Sequence, residues 1–521
     1  MAVLSSGRGG HVGYVKLIRK APTSVSDLHI ALSTTAGLRQ EIPDNHRSEM
    51  PLSDGGIPIA GFSPGSFKRE VSTRQMFLMA AGGSIGAGIF VGSGQALAIG
   101  GPANLVINFA LCGLMACLTM AALGEMATSY PVSGAFYDYT LRFVGPQWGF
   151  AMGWNYVLNW LLIVPFEMTT IGVLLQYWNP EIRVWHFVPP SLVLLAVGSI
   201  NGAKWFSEVK NCFCLCKILT ISSFVGFALV LTVSGIPGDP RGALRGRYWH
   251  DPGAFLNGFQ GFLSVLRFAG VAYGGTEMLG LAAAECRDPH QALPLATKVV
   301  FARVIFLQLG SLLTLGFTVP ANSPELSQAD HRYSPFVLAA SLSGISVLAG
   351  FLNAMIIVAL FSVANSAIFS SSCALQALCV KRMGPKVLAR TTSKNVPLHA
   401  LTVSLTVALL ALIGTVPGGE DIFDWLLSLS STSSYLTWAS ICYSHTRMRR
   451  AMTAQGHSLE HLSWRSPFGT AGSYVGLAIC CVSILAQIVV AFWPLDEYEI
   501  KAVIRDIIGI PFTLLLFTGY V

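Results

Sequence analysis

Charge is what this sequence has least of. Only 11% of its 521 residues are Asp, Glu, Lys or Arg, against about 25% in soluble domains. So few charges cannot coat a water-facing surface, which excludes an ordinary soluble protein. Catalytic signatures are missing as well: there is no His-Glu-x-x-His pair, no nucleophile elbow and no phosphate-binding glycine loop. A membrane-embedded enzyme therefore has nothing in the sequence to stand on. Residues 1–70 lack a basic segment followed by an apolar core. They are polar and rich in Ser, Gly and Pro, and read as a disordered cytoplasmic tail.

What is present is hydrophobicity, at 53% of residues and a mean hydropathy of +0.58. Apolar stretches recur, most of about 18 to 28 residues with the third and eighth longer, enough to cross a hydrocarbon core as helices. Twelve are expected, at 75–98, 104–129, 147–178, 187–202, 210–234, 258–283, 297–319, 345–380, 398–416, 422–445, 470–494 and 503–521. They are apolar all round and not striped, which sets them apart from a soluble helical solenoid. This is an all-α membrane protein, with the membrane domain at 71–521.

Lys and Arg set the orientation. With the N-terminus inside, Lys68, Arg69, Arg74, Lys381, Arg382, Lys386, Arg449 and Arg450 fall on the cytoplasmic side. The outer side receives fewer, among them Arg183, Arg241, Arg245, Arg247 and Arg505. The net charge of +7 is thus mainly a topology signal, and nucleic acid is not an expected partner. No cysteine falls in an outer loop, so no disulfide framework is expected. Cys212, Cys214 and Cys216 alternate around a helix with no histidine beside them, and read as packing residues and not as metal ligands.

Two of the apolar stretches are interrupted. The first contains Gly82-Gly83-Ser84-Ile85-Gly86-Ala87-Gly88-Ile89-Phe90-Val91-Gly92-Ser93-Gly94, and each glycine weakens a helix by up to about 1 kcal/mol relative to Ala. The sixth contains Ala269-Gly270-Val271-Ala272-Tyr273-Gly274-Gly275-Thr276-Glu277. In a bilayer, unwound backbone survives only inside protein or along a cavity. Paired interruptions in corresponding halves point to an inverted-repeat transporter with its site near the midplane. Half-helix ends offer free N–H groups to a carboxylate and free carbonyls to an ammonium. A zwitterion suits both, so the expected solute resembles an amino acid.

These residues resemble a known family. Gly83–Gly94 followed by Gly100-Gly101-Pro102 is similar to the first-span signature of amino acid permeases of the amino acid–polyamine–organocation superfamily, the fungal permeases above all. Further matches are Gly124-Glu125-Met126-Ala127, Pro131-Val132-Ser133-Gly134, Gly149-Phe150-Ala151-Met152-Gly153-Trp154-Asn155-Tyr156, Gly275-Thr276-Glu277 and Thr437-Trp438-Ala439-Ser440-Ile441-Cys442. The resemblance covers about 67–521. It implies a LeuT-like fold of five-plus-five inverted repeats with helices one and six broken, two extra helices, a plasma-membrane location and proton-driven import. No cofactor is implied beyond the proton gradient.

Carried over residue by residue, the resemblance implies that Ser84, Ile85, Gly86, Ala87 and Gly88 hold the substrate carboxylate through backbone N–H groups. Val271, Ala272, Tyr273 and Gly274 would form the partner break near the amino group, with Tyr273 as an aromatic gate. Glu167, two residues after Pro165, resembles a substrate-facing glutamate. Lys217 aligns with a fifth-span lysine whose ammonium can stand in for a sodium ion. Ser362, Asn365 and Ser366 lie at similar depth and could face it, making a proton-coupling group of the four. Arg267 stands where the family has an uncharged residue. Three roles stay open for it: binding an acidic substrate side chain, pairing with Glu167 as an outer gate, or snorkelling to the interface.

Glu125 and Glu277 are expected to be structural partners of cytoplasmic-side groups, and His445 to cap its helix. Ala87 replaces the family's threonine, Cys373 a usual arginine and Gln376 a usual tyrosine. The sequence ends at Val521 without the usual cytoplasmic tail, which bears on trafficking. A receptor-like permease that binds amino acids without carrying them is the alternative reading. Oligomeric state is not legible.

Overall fold

The computed structural model describes residues 72–83, 85–130, 135–200, 203–283, 286–327, 334–392, 396–415, 422–495 and 499–520. The tail expected at 1–70 and the candidate Ser84 lie outside them. The described residues are overwhelmingly helical and contain no strand. Among the described residues, six helices are long and apolar enough to cross a membrane: Gly92–Ser129, Pro146–Leu175, Glu208–Val233, Pro289–Thr318, Ser346–Val380 and Gly469–Phe492. Shorter apolar helices run over Trp185–Ile200, Gly258–Ala272, Leu398–Ile413 and Gly509–Thr518. Large apolar side chains such as Phe306, Val347 and Leu515 are among the most exposed residues, as expected where the surrounding solvent is lipid.

The sequence pattern sets the helix ends. Ser72 and Gln75 form a reciprocal capping box ahead of Thr73–Gly82: the Ser72 N–H donates to Gln75 Oε1 at 2.7 Å and the Gln75 N–H to Ser72 Oγ at 3.3 Å. Proline opens Pro146–Leu175, Pro289–Ala302 and Pro335–Leu342, where a missing N–H costs nothing.

Four boundaries differ from expectation. The first and second stretches are joined in one helix, Gly92–Ser129, bent only at Gly101 (φ 78°, ψ 172°) before Pro102. A Cβ on Gly101 would meet Ala254 O at 2.8 Å. The bend is held there by hydrogen bonds from Ala103 N–H to Ala254 O and from Leu256 N–H to Gly100 O, both 2.9 Å. The tenth stretch continues to Ala454 because its polar end is buried. The seventh is interrupted by a π-helical turn, Arg303–Leu309. The twelfth is two helices, Ile500–Ile507 and Gly509–Thr518.

Helices distant in sequence pack pairwise, Pro146–Leu175 along Ser346–Val380 and Gly92–Ser129 along Gly258–Ala272, while the neighbours Ile422–Ala454 and Gly469–Phe492 pack as a hairpin. The segment between Val233 and Gly258 is pinned by Arg241, which bonds Asp239 through Nε (3.0 Å) and Nη2 (2.9 Å) and reaches Thr318 O at 3.2 Å. Burial works against the Asp239 charge, but the Arg241 hydrogen bonds outweigh it and hold the carboxyl below its ordinary value.

A buried cluster of polar and charged groups closes the Ser129 end of the helix Gly92–Ser129. Glu125 receives Arg449 through Nε (2.6 Å) and Nη2 (2.7 Å), and the Ser466 N–H at 2.7 Å. His445 Nε2 lies 3.1 Å from the same carboxylate, with Nδ1 2.8 Å from Ser473 Oγ. The structural role expected of Glu125 fits this cluster. His445 is not the terminal cap expected of it: it sits inside Ile422–Ala454. Glu125→Ala is expected to lose about 3–5 kcal/mol by stranding the buried Arg449 guanidinium, read as a lower Tm of the detergent-purified protein, with Glu125→Gln losing less. An unchanged Tm for the alanine variant would contradict it.

Candidate functional site

The first break begins where Thr73–Gly82 ends. The Gly83 N–H still reaches Met79 O at 2.9 Å. Ile85 and Gly86 are then unwound, and helix resumes at Ala87. Each end of the break meets a charge of the sign its dipole favours. The Gly82 carbonyl accepts from Lys217 Nζ at 3.3 Å. The Ala87 N–H donates to Glu167 Oε1 at 3.2 Å. Both side chains are buried, Lys217 at 1% and Glu167 at 3% exposure, and each acts on the other electrostatically. Such charges are tolerable in the interior because each has a partner.

Glycine makes this approach possible. A Cβ on Gly86 would fall 2.6 Å from Glu167 Oε1 and 3.0 Å from Val363 Cγ2. A Cβ on Gly88 would fall 2.8 Å from both Cα and N of Ala272 and 3.0 Å from Val271 C. The backbones of the two breaks are thus in direct contact. At Gly82 a Cβ would collide with Cys214 at 2.9 Å, so this member of the cysteine run serves to pack two helices closely.

The second break lies between Gly258–Ala272 and Met278–Ala283. The Gly274 N–H turns back to Val271 O at 3.0 Å, and Gly275 takes φ 87°. Glu277 accepts the Gly275 N–H at 3.3 Å and Trp438 Nε1–H at 3.1 Å, so its role is to hold the turn. Tyr273 is fully buried, with its hydroxyl donating to Phe109 O at 2.7 Å. The gating role expected of Tyr273 finds no support in that packing.

Two further expectations need correction. Lys217 bonds to the first break and not to Ser362, Asn365 or Ser366. Ser366 Oγ donates to Ser362 O at 3.0 Å within their own helix. Ser362 Oγ and Asn365 Nδ2 have no hydrogen-bond partner among the described residues. Arg267 pairs with Asp506 at 3.1 Å and not with Glu167. It lines a separate cavity with Gln487, Arg505 and Asp506, which also takes it away from the two breaks. Its partner lies 239 residues further along the chain.

Sequence reasoning passed over Arg303 and Gln308. Arg303 is 3% exposed. It donates to Ala80 O and to Thr276 Oγ1, both at 2.9 Å. Gln308 Nε2 donates to Ala272 O at 3.3 Å. The signal was present: an arginine inside an apolar stretch is a functional hypothesis by default. Its depth was masked by Lys298 just before it, which makes the start of the stretch look like an interface.

Two broken helices that touch at their breaks, among helices apolar enough to cross a bilayer, define a multi-pass membrane protein of the transporter class. The sequence model of the amino acid permease family matches residues 75–521. An amino-acid permease of Schizosaccharomyces pombe, named as uncharacterized, is 38% identical over 459 residues, 87% of this chain and 78% of its own length. Amino-acid permease inda1 of Hypocrea atroviridis is 38% identical over 440 residues, 82% of this chain and 76% of its own. The general amino-acid permease GAP1 of Saccharomyces cerevisiae is 36% identical over 466 residues, 87% and 77% respectively. The chain belongs to the amino acid permease family.

Proposed function

We propose that the protein is a secondary active transporter that carries amino acids across the plasma membrane by alternating access, coupled to protons. In this reading there are twelve spans with the N-terminus in the cytoplasm. Spans one to five and six to ten form the two inverted repeats of a LeuT-like arrangement, and the last two are additions. The observation that carries the reading is the Ala87 N–H at a broken-helix end, already holding a carboxylate, that of Glu167. The carboxylate of an amino acid has the same chemistry as the Glu167 side chain. N–H groups around Ile85–Gly88 would receive it, and carbonyls around Val271–Gly274 would receive the ammonium.

Proton coupling follows from the same contact. An ionised Glu167 competes with the substrate carboxylate for the Ala87 N–H. A proton arriving on Glu167 weakens that bond, since hydrogen bonds to charged acceptors are the stronger ones. Proton and substrate would then enter together, with the proton gradient as the driving force and no cofactor. Uptake of each of the common radiolabelled L-amino acids in a permease-deficient yeast host, with and without a proton uncoupler, tests the proposal. Uptake of at least one, abolished by the uncoupler, is expected. Uptake indifferent to the uncoupler removes the coupling, and binding without uptake removes the transport.

A further inference from the structure

We propose that Arg303 is a positioning residue: a fixed guanidinium that brackets the two helix breaks and sets the geometry of the substrate site between them. The inference rests on the reading of the breaks as that site. Arg303 belongs to a third helix, yet its two Nη groups reach one acceptor on each broken helix. These are Ala80 O in the last turn of Thr73–Gly82 and Thr276 Oγ1 inside the second break. Ala80 O is one of the terminal carbonyls that lack an intrahelical donor at a helix end. Thr276 in turn donates its hydroxyl proton to Tyr273 O at 2.7 Å, so the bracket extends into the turn itself.

The backbone of the seventh stretch is shaped for this task. Arg303 and Gln308 are the first and second-last positions of the π-helical turn Arg303–Leu309. At 100° per residue, two residues five apart on an α-helix point about 140° away from each other. The wider i→i+5 turn brings positions five apart to nearly the same side. Gln308 is thereby able to take Ala272 O, at the end of Gly258–Ala272, while Arg303 takes the far side of the same break. One turn of one helix so supplies donors to both ends of the second break and to the inner half of the first.

A guanidinium buried this deeply costs several kcal/mol unless it is matched. The match consists of two acceptors and the Glu277 carboxylate, which acts on it electrostatically. Lys217 meets the carbonyl two residues further on, at Gly82. The same helix end therefore holds two built-in cations, of which the guanidinium alone also grips the second broken helix. Removing it leaves the two breaks free to separate, and substrate binding must then order them.

The test is a set of full-length variants reconstituted in liposomes: Arg303→Gln, Arg303→Lys, Thr276→Val and the Arg303→Gln/Thr276→Val double. Uptake of a panel of radiolabelled L-amino acids is measured, and the amino acid best carried by the wild type is followed. Arg303→Gln is expected to raise KM about tenfold or more, ~1.4 kcal/mol, with Arg303→Lys intermediate. Thr276→Val should raise KM less, and the double should be no worse than Arg303→Gln because both changes cut the same contact. A wild-type KM with only maximal rate reduced, or additive effects of the two changes, overturns the bracket. If Arg303→Gln does not fold, an unchanged KM in both Arg303→Lys and Thr276→Val does the same. If the wild type carries no amino acid, the transport reading fails by itself. The bracket is then judged on Tm: non-additive losses in the same cycle support it and additive losses overturn it.

Discussion

Gly88→Val is expected to abolish amino acid uptake while the protein still accumulates in the membrane. The atoms that a new side chain meets at this position are backbone atoms of Ala272 and Val271, 2.8–3.0 Å from the first carbon. A flexible side chain could swing away; a backbone at a helix break cannot move without moving the break. Overpacking of this kind costs about 1–3 kcal/mol. Spent on separating the two halves of a binding site, that cost alone is roughly a 5- to 150-fold loss of affinity, before the branches of valine are counted. The control is Gly226→Val, an exposed position with nothing within 4 Å of its Cβ, which should leave uptake unchanged. Wild-type uptake by Gly88→Val would mean that the two breaks do not form the site.

Lys217→Met is expected to give the second-largest effect, and one of a different kind. It removes the ammonium from the Gly82 carbonyl and leaves Glu167 without its opposing charge. Lys217 and Glu167 are not in direct contact, but deleting the positive charge leaves a buried carboxylate that is easier to protonate, so Glu167 should keep its proton. Residual uptake should therefore no longer respond to an imposed pH gradient, measured in liposomes at fixed internal pH. Uptake that still follows the gradient would separate Lys217 from coupling. Glu167→Gln should show the same indifference, because glutamine has no proton to give up.

Some of this was legible in the sequence for clear physical reasons. Lipid-crossing helices announce themselves by composition, and the two breaks by glycine, because unwound backbone in a bilayer needs both conformational freedom and close approach. Gly86 and Gly88 are the cases in point: each leaves room for another segment of chain. The partners were not legible. That Glu167 caps Ala87, that Lys217 serves Gly82 and that Arg267 faces Asp506 are facts of tertiary packing across 80, 135 and 239 residues. The span-eight residues Ser362, Asn365 and Ser366 show the limit of depth arguments, since matching depth does not select a face. Arg303 was legible as an arginine in an apolar stretch, but the π turn that aims it and Gln308 at one break cannot be read from hydropathy.

The Glu125–Arg449 pair has a consequence for how the protein is made. Its members are 324 residues apart, and the chain enters the membrane in order. At about 5–20 residues per second, a nascent chain carries Glu125 without its arginine for roughly 15 to 65 seconds. Throughout that interval the half-finished protein carries near the end of an apolar helix a carboxylate that its arginine does not yet neutralise. A helix made late in synthesis thus completes the charge balance of one made early.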